Sequence, residues 1–150
     1  MKVLLVVDLQ REFYSALKYE QILKYIAKSD YDVVIGTIMQ NTKDSPLART
    51  LNWGECFDVV PDSIEYEYDK LIVKNTYSVP IERLSDYKDA EITVIGCDAD
   101  ACVLATCFNL FDNGFNFKVD LNYVYTTGNI NLYLHAKEVM KRNFGKCVIY

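Results

Sequence analysis

The sequence predicts an α/β fold, a three-layer sandwich with a six-stranded, mostly parallel sheet between two layers of helices. Three observations predict it. Short apolar runs alternate with segments of helical periodicity along the whole chain. The first run is continuously apolar rather than alternating, as a strand buried on both faces requires. No low-complexity tract or internal repeat interrupts the pattern, so the 150 residues read as one domain, 1–150.

Lys2 to Asp8 (KVLLVVD) is the first strand. Tyr19, Ile22, Leu23 and Ile26 then recur at helical spacing and predict a helix ending near Lys28. Tyr31 to Met39 (YDVVIGTIM) is the second strand, and Leu71 to Lys74 closes the third. Between them runs an acidic stretch from Glu55 to Asp69. Its carboxylates show no ligand spacing for a cation and read as a solvated face. Glu91 to Gly96 (EITVIG) is the fourth strand. The helix after it is expected to turn Leu104, Cys107, Phe108 and Phe111 inward, with Asn113-Gly114 as its left-handed stop. Phe115 to Val124 gives a fifth strand. Leu132 to Asn143 gives a last helix with Ala136, Val139 and Met140 expected inward, ended by Gly145 before a terminal strand, Cys147 to Tyr150.

Composition narrows the function. At 51% apolar and 25% charged residues the chain is globular. A net charge of -5 lacks the basic face of a nucleic-acid binder, so no nucleic-acid partner is expected. Apolar runs such as Val3 to Val7 are too short to span a bilayer, and no export signal is read before Lys2. A cytoplasmic protein without a membrane partner is expected. His135 is the only histidine, which excludes any multi-histidine metal site within one chain. Cys56, Cys97, Cys102, Cys107 and Cys147 are odd in number, form no CxxC pair, and read as free thiols.

In open parallel sheets the site lies beyond the carboxyl ends of the strands. Three reactive side chains stand there. Asp8 ends the first strand, Lys74 ends the third, and Cys102 begins the helix after the fourth. The positive end of that helix and the Lys74 ammonium are expected to favour thiolate at Cys102, lowering its pKa from roughly 8.5. Asp8 is placed to accept the thiol proton and return it to a leaving group. Each residue also has a plain structural reading: a loop cap, a solvated strand end, a core cysteine. Cys97 and Cys107 read as packing. His135 falls opposite the inward face of the last helix.

Three segments, VVDLQREF (6–13), VKNTYS (73–78) and IGCDADACVLATCFNLFDNGF (95–115), resemble in order the signature blocks of the isochorismatase-like cysteine hydrolase superfamily. The closing AKEVMKRNFG (136–145) resembles its last helix. The resemblance implies a triad of Asp8 as general acid/base, Lys74 as thiolate stabiliser and Cys102 as nucleophile. The reaction implied is hydrolysis of an amide, carbamoyl or related carbon–nitrogen bond through a thioester. It also implies an oxyanion hole from the N–H groups of Asp98 and Cys102, with a cis peptide between Cys97 and Asp98. Gln10 and Phe13 match the first block, and Phe13 is expected to line the substrate pocket. Trp53 and Tyr77 are further candidates for its walls.

The departures from the pattern are specific. Ala99 stands where many members carry threonine. The stretch TIMQNTKDSPLARTLNW (37–53) lacks the histidines of the nicotinamidase metal site, so no metal or other cofactor is expected and nicotinamide is a poor first substrate. Cys102 argues against true isochorismatase chemistry, which has no cysteine nucleophile. A small-molecule substrate is expected, and self-association is in keeping with the family and with twelve Tyr and seven Phe. The alternative is a catalytically silent binding domain, favoured by Ala99 and the short chain. A receiver-type domain would need an acidic pair after the first strand and finds only Asp8.

Overall fold

Strand β1 (Lys2–Val7) is the centre of the molecule, and its unbroken apolar run has two partners. Val3, Leu5 and Val7 enter the larger core cluster on one face, while Leu4 and Val6 enter a smaller one on the other. Helices α3 (Leu104–Asp112) and α4 (Ile130–Phe144) cover the first face, and α1 (Lys18–Lys28) covers the second through Tyr19, Ile22 and Ile26. The three-layer expectation therefore holds. The computed structural model describes all residues, Met1–Tyr150.

The remaining strands are β2 (Val33–Met39), β3 (Lys70–Lys74), β4 (Glu91–Gly96), β5 (Phe117–Val124) and β6 (Val148–Ile149). All pair in parallel in the order β3-β2-β1-β4-β5-β6. The chain winds outward from β1 in one direction and from β4 in the other, so the switch point lies between them. Gly96 sits there at φ +114, where a Cβ would run into the Val7 carbonyl. An irregularity in β5 pairs Val124 with Gly96 and carries the end of β5 to the loop after β4.

Two inward assignments fail. Phe111 is half-exposed at 52%, and the buried stripe of α3 is Thr106, Cys107 and Leu110, following Val103. Thr106 can face inward because its Oγ1 accepts the Val79 N–H at 3.2 Å. Val139 is exposed on the flank of α4, whose buried stripe runs Ala136, Met140, Phe144 at every fourth residue. One helix was not expected, α2 (Pro46–Leu51). Its signals are local: the Ser45 hydroxyl caps the Ala48 N–H at 3.0 Å, proline opens the first turn, and Asn52 closes it in the left-handed region. No helix is long and apolar enough to cross a membrane.

Candidate active site

The switch point brings Asp8 and the loop after β4 side by side, and β3 delivers Lys74 from two strands away. Asp8 turns the chain at φ 48, a left-handed conformation that aspartate tolerates better than most residues. Its backbone is locked from both sides. The Asp8 N–H donates to Thr37 Oγ1 at 2.9 Å, and its carbonyl accepts the Gln10 N–H at 2.9 Å and the Cys97 thiol at 3.3 Å. The Thr37 hydroxyl then donates to Asp8 Oδ1 at 2.5 Å.

Asp8 Oδ2 accepts from Lys74 Nζ at 2.7 Å, an ion pair with both side chains fully buried. The ammonium has three protons to place. One goes to Asp8 and one to the Thr76 carbonyl at 2.9 Å, and Cys102 is a further near neighbour of the ammonium. Burial works against the Lys74 charge, but Asp8 and Cys102 outweigh it and hold the ammonium above its ordinary range. Asp8, Lys74 and Cys102, distant in sequence, thus form one cluster.

The electrostatics of Cys102 reverse the sequence expectation. Burial pushes its thiol well above the ordinary value, and the Asp8 carboxylate pushes the same way; Lys74 opposes both and does not prevail. The direction is that of a protonated sulfur at rest, beside the Asp8–Lys74 pair. The sulfur also lies within a single π-helical turn, Ala99–Val103, that runs straight into α3. Burial is the reason the lysine and the helix end do not suffice, since a desolvated thiolate must recover its whole hydration energy from neighbours.

The loop before Cys102 is tied to the loop after β5. Asp98 accepts the Thr127 N–H at 2.7 Å and the Thr127 hydroxyl at 2.8 Å, and Asp100 accepts the Thr126 hydroxyl at 2.5 Å. These threonines supply hydroxyls to a loop in which Ala99 has none; Ala99 itself is buried, with its N–H donated to the Tyr125 carbonyl at 2.8 Å. The Cys97–Asp98 peptide is cis. The Asp98 N–H donates to no group of the protein.

Cys102 reaches a cavity of about 360 Å³, with Phe13, Trp53, Tyr77, Met39 and Leu47 among its walls. The rings of Phe13 and Trp53 stack with centroids 6.4 Å apart. Phe13 is fixed by its carbonyl, which accepts the Tyr125 hydroxyl at 2.5 Å. A larger cavity, about 650 Å³, lies between α1 and Glu65–Asp69, and no cysteine or lysine lines it. Cys97 and Cys107 are buried with thiols pushed upward by burial, and His135 is exposed on α4. No group of three or more His, Cys, Asp or Glu side chains is arranged to hold a metal ion.

Neither protein-family models nor curated protein sequences match the chain. Solved structures do. An isochorismatase-like hydrolase from Alkaliphilus metalliredigens superposes with a TM-score of 0.72 at 11% identity, over 94% of this chain and 91% of that one. The chain has the isochorismatase-like hydrolase fold. Within that fold it is similar to a pyrazinamidase/nicotinamidase from Streptococcus mutans, with a TM-score of 0.76 at 16% identity, over 99% and 100% of the two chains. It is also similar to an N-carbamoylsarcosine amidase from Thermoplasma acidophilum, with a TM-score of 0.71 at 19% identity, over 99% and 94%. The fold accounts for the meeting of β1, β3 and β4 ends at one crevice.

Sequence reasoning missed Thr37 and the Thr126–Thr127 latch. A lone threonine in the carboxyl half of an otherwise apolar buried strand was the available signal for Thr37. Thr37→Val removes the hydroxyl that orients Asp8 and leaves the Asp8 N–H unpaired. Stability is expected to fall by about 1–3 kcal/mol, read by denaturant unfolding, and Thr37→Ser should recover most of it. An unchanged midpoint in the valine variant would remove Thr37 from the cluster.

Proposed function

We propose that this protein is a cysteine hydrolase of a small amide, carbamoyl or related carbon–nitrogen substrate. The observation that carries the reading is the buried Asp8–Lys74 ion pair beside Cys102, itself at the wall of a cavity. The folds of a nicotinamidase and an N-carbamoylsarcosine amidase support it, because both names denote release of nitrogen from a carbonyl carbon.

The raised thiol makes proton transfer part of the attack. Asp8 takes the Cys102 proton as the sulfur bonds to the carbonyl carbon, and Lys74 carries the charge balance as it shifts from carboxylate to sulfur. The carbonyl oxygen gains negative charge toward the N–H groups of Asp98 and Cys102. Asp8 returns the proton to the nitrogen, the C–N bond breaks, and ammonia or an amine leaves a thioester on Cys102. Water then attacks the thioester, giving its proton to Asp8. The C–S bond breaks to release the acid, and the proton returns to sulfur. No oxidant or metal enters this balance.

The test is ammonia release from a panel of small primary amides and carbamoyl compounds, with and without a chelator. The expected result is turnover of at least one compound at a rate the chelator leaves unchanged. Activity lost to chelation and recovered with Zn²⁺ or Fe²⁺ would overturn the metal-free mechanism. Binding without any release of ammonia would favour the silent binding domain.

A further inference from the structure

The hydrolase reading leaves the substrate open, and the charge of the cavity narrows it. Glu12, Glu55 and Asp98 line the same cavity as Cys102, and no lysine, arginine or histidine does. Asp98 is occupied by Thr127. Glu12 and Glu55 have no ion-pair partner, since Arg11 pairs with Glu65 at 3.3 Å instead and Lys74 is committed to Asp8.

Glu12 is also a built feature. Gln10 is fully buried, with Oε1 accepting the Met39 N–H at 2.8 Å and Nε2 donating to the Met39 carbonyl at 3.2 Å. The same Nε2 donates to Glu12 Oε2 at 3.0 Å, so an immobile amide holds the carboxylate at the cavity and leaves its other oxygen unpaired. The two glutamates act on one region: next to burial, both push the Cys56 thiol up, to about 12. Phe13 and Trp53, whose rings stack on each other, line the same cavity. Aromatic faces and uncompensated carboxylates together attract a cation and repel an anion. A metal ion is the poorer candidate, because no three donor side chains converge.

We propose that the substrate is a cationic amide: a small amide or carbamoyl compound whose far end carries an amine-derived cation, seated between the Phe13–Trp53 faces and the Glu12 and Glu55 carboxylates. This inference rests on the hydrolase reading for its reaction and on the cavity for its charge.

Three primary amides of equal length, ending in an ammonium, a methyl or a carboxylate, test it. Their kcat/KM for ammonia release is measured in the wild type, and their affinity in Cys102→Ser by calorimetry. The ammonium amide is expected to be favoured over the methyl amide by about tenfold or more, and the carboxylate amide to be worst. Added salt should shrink the ratio. The ratio should fall toward one in the Glu12→Gln/Glu55→Gln double variant, and part of the way in Glu55→Gln alone at its exposed position, chiefly through KM. Equal or absent binding of all three amides, a preference for the carboxylate, or a ratio unmoved by the substitutions would overturn the proposal. A charge preference in Cys102→Ser binding with no ammonia from the wild type would uphold the cationic ligand and overturn the hydrolase. Turnover without charge preference would do the reverse.

Discussion

Cys102→Ser is expected to lower ammonia release by about 10³-fold or more while leaving the unfolding transition within about 1 kcal/mol of wild type. The structural half follows from the site. The substitution is nearly isosteric, the position is buried at 7% exposure, and the Asp8–Lys74 pair beside it is untouched. The kinetic half follows from the atom. Even a thiol pushed upward by burial is far more acidic than an aliphatic alcohol, so Asp8 can deprotonate sulfur during attack but has no comparable route to an alkoxide. Ammonia release at wild-type rate from the serine variant, with the fold verified by circular dichroism, would remove Cys102 from the chemistry. Loss of folding would instead be tested with Cys102→Ala, which introduces no new polar atom.

How far the sequence could be read depended on where each physical cause lies. β1 was legible because a strand buried on two faces must be apolar at every position, and KVLLVV is. The meeting of Asp8, Lys74 and Cys102 was legible because parallel topology sends all carboxyl ends to one edge. Thr37 was not, since its worth to Asp8 arises from a partner 29 residues away that only strand pairing supplies. The protonation of Cys102 was read with the wrong sign for a related reason. Helix end and lysine are visible in sequence, whereas the desolvation that outweighs them is a property of the packed core. Phe111 is misplaced because helical spacing and hydrophobicity suggest the inward face, whereas the Val79 N–H that makes Thr106 a core residue lies on another segment. The acidic lining is the subtlest case. Glu12 and Glu55 are 43 positions apart and unremarkable until Gln10 and the Trp53 wall set them around one cavity.

Lys74→Met is expected to destabilise the protein by about 3–5 kcal/mol, the cost of leaving one member of a buried ion pair without its partner. Asp8→Asn should cost clearly less, although it breaks the same 2.7 Å contact. The asymmetry comes from the third member. With Asp8 neutral, Lys74 still faces Cys102, and the group that raised the thiol beside burial is gone while the one that lowers it remains. The sulfur can then ionise and become the counter-ion. With Lys74 gone no cation is left in the cluster, and both Asp8 and burial hold the thiol protonated. The same logic fixes the sign of the pH dependence. In the wild type, Cys102 should alkylate more slowly near pH 7 than a free thiol. Its titration midpoint should move to lower pH in Asp8→Asn, which nevertheless loses hydrolysis for want of a proton shuttle. Site-resolved alkylation against pH, read by peptide mass spectrometry, checks both points alongside denaturant unfolding. A wild-type Cys102 that titrates below the ordinary thiol value would mean that Lys74 and the helix end prevail over burial after all. Asp8 would then act only after attack, on the leaving nitrogen and the incoming water.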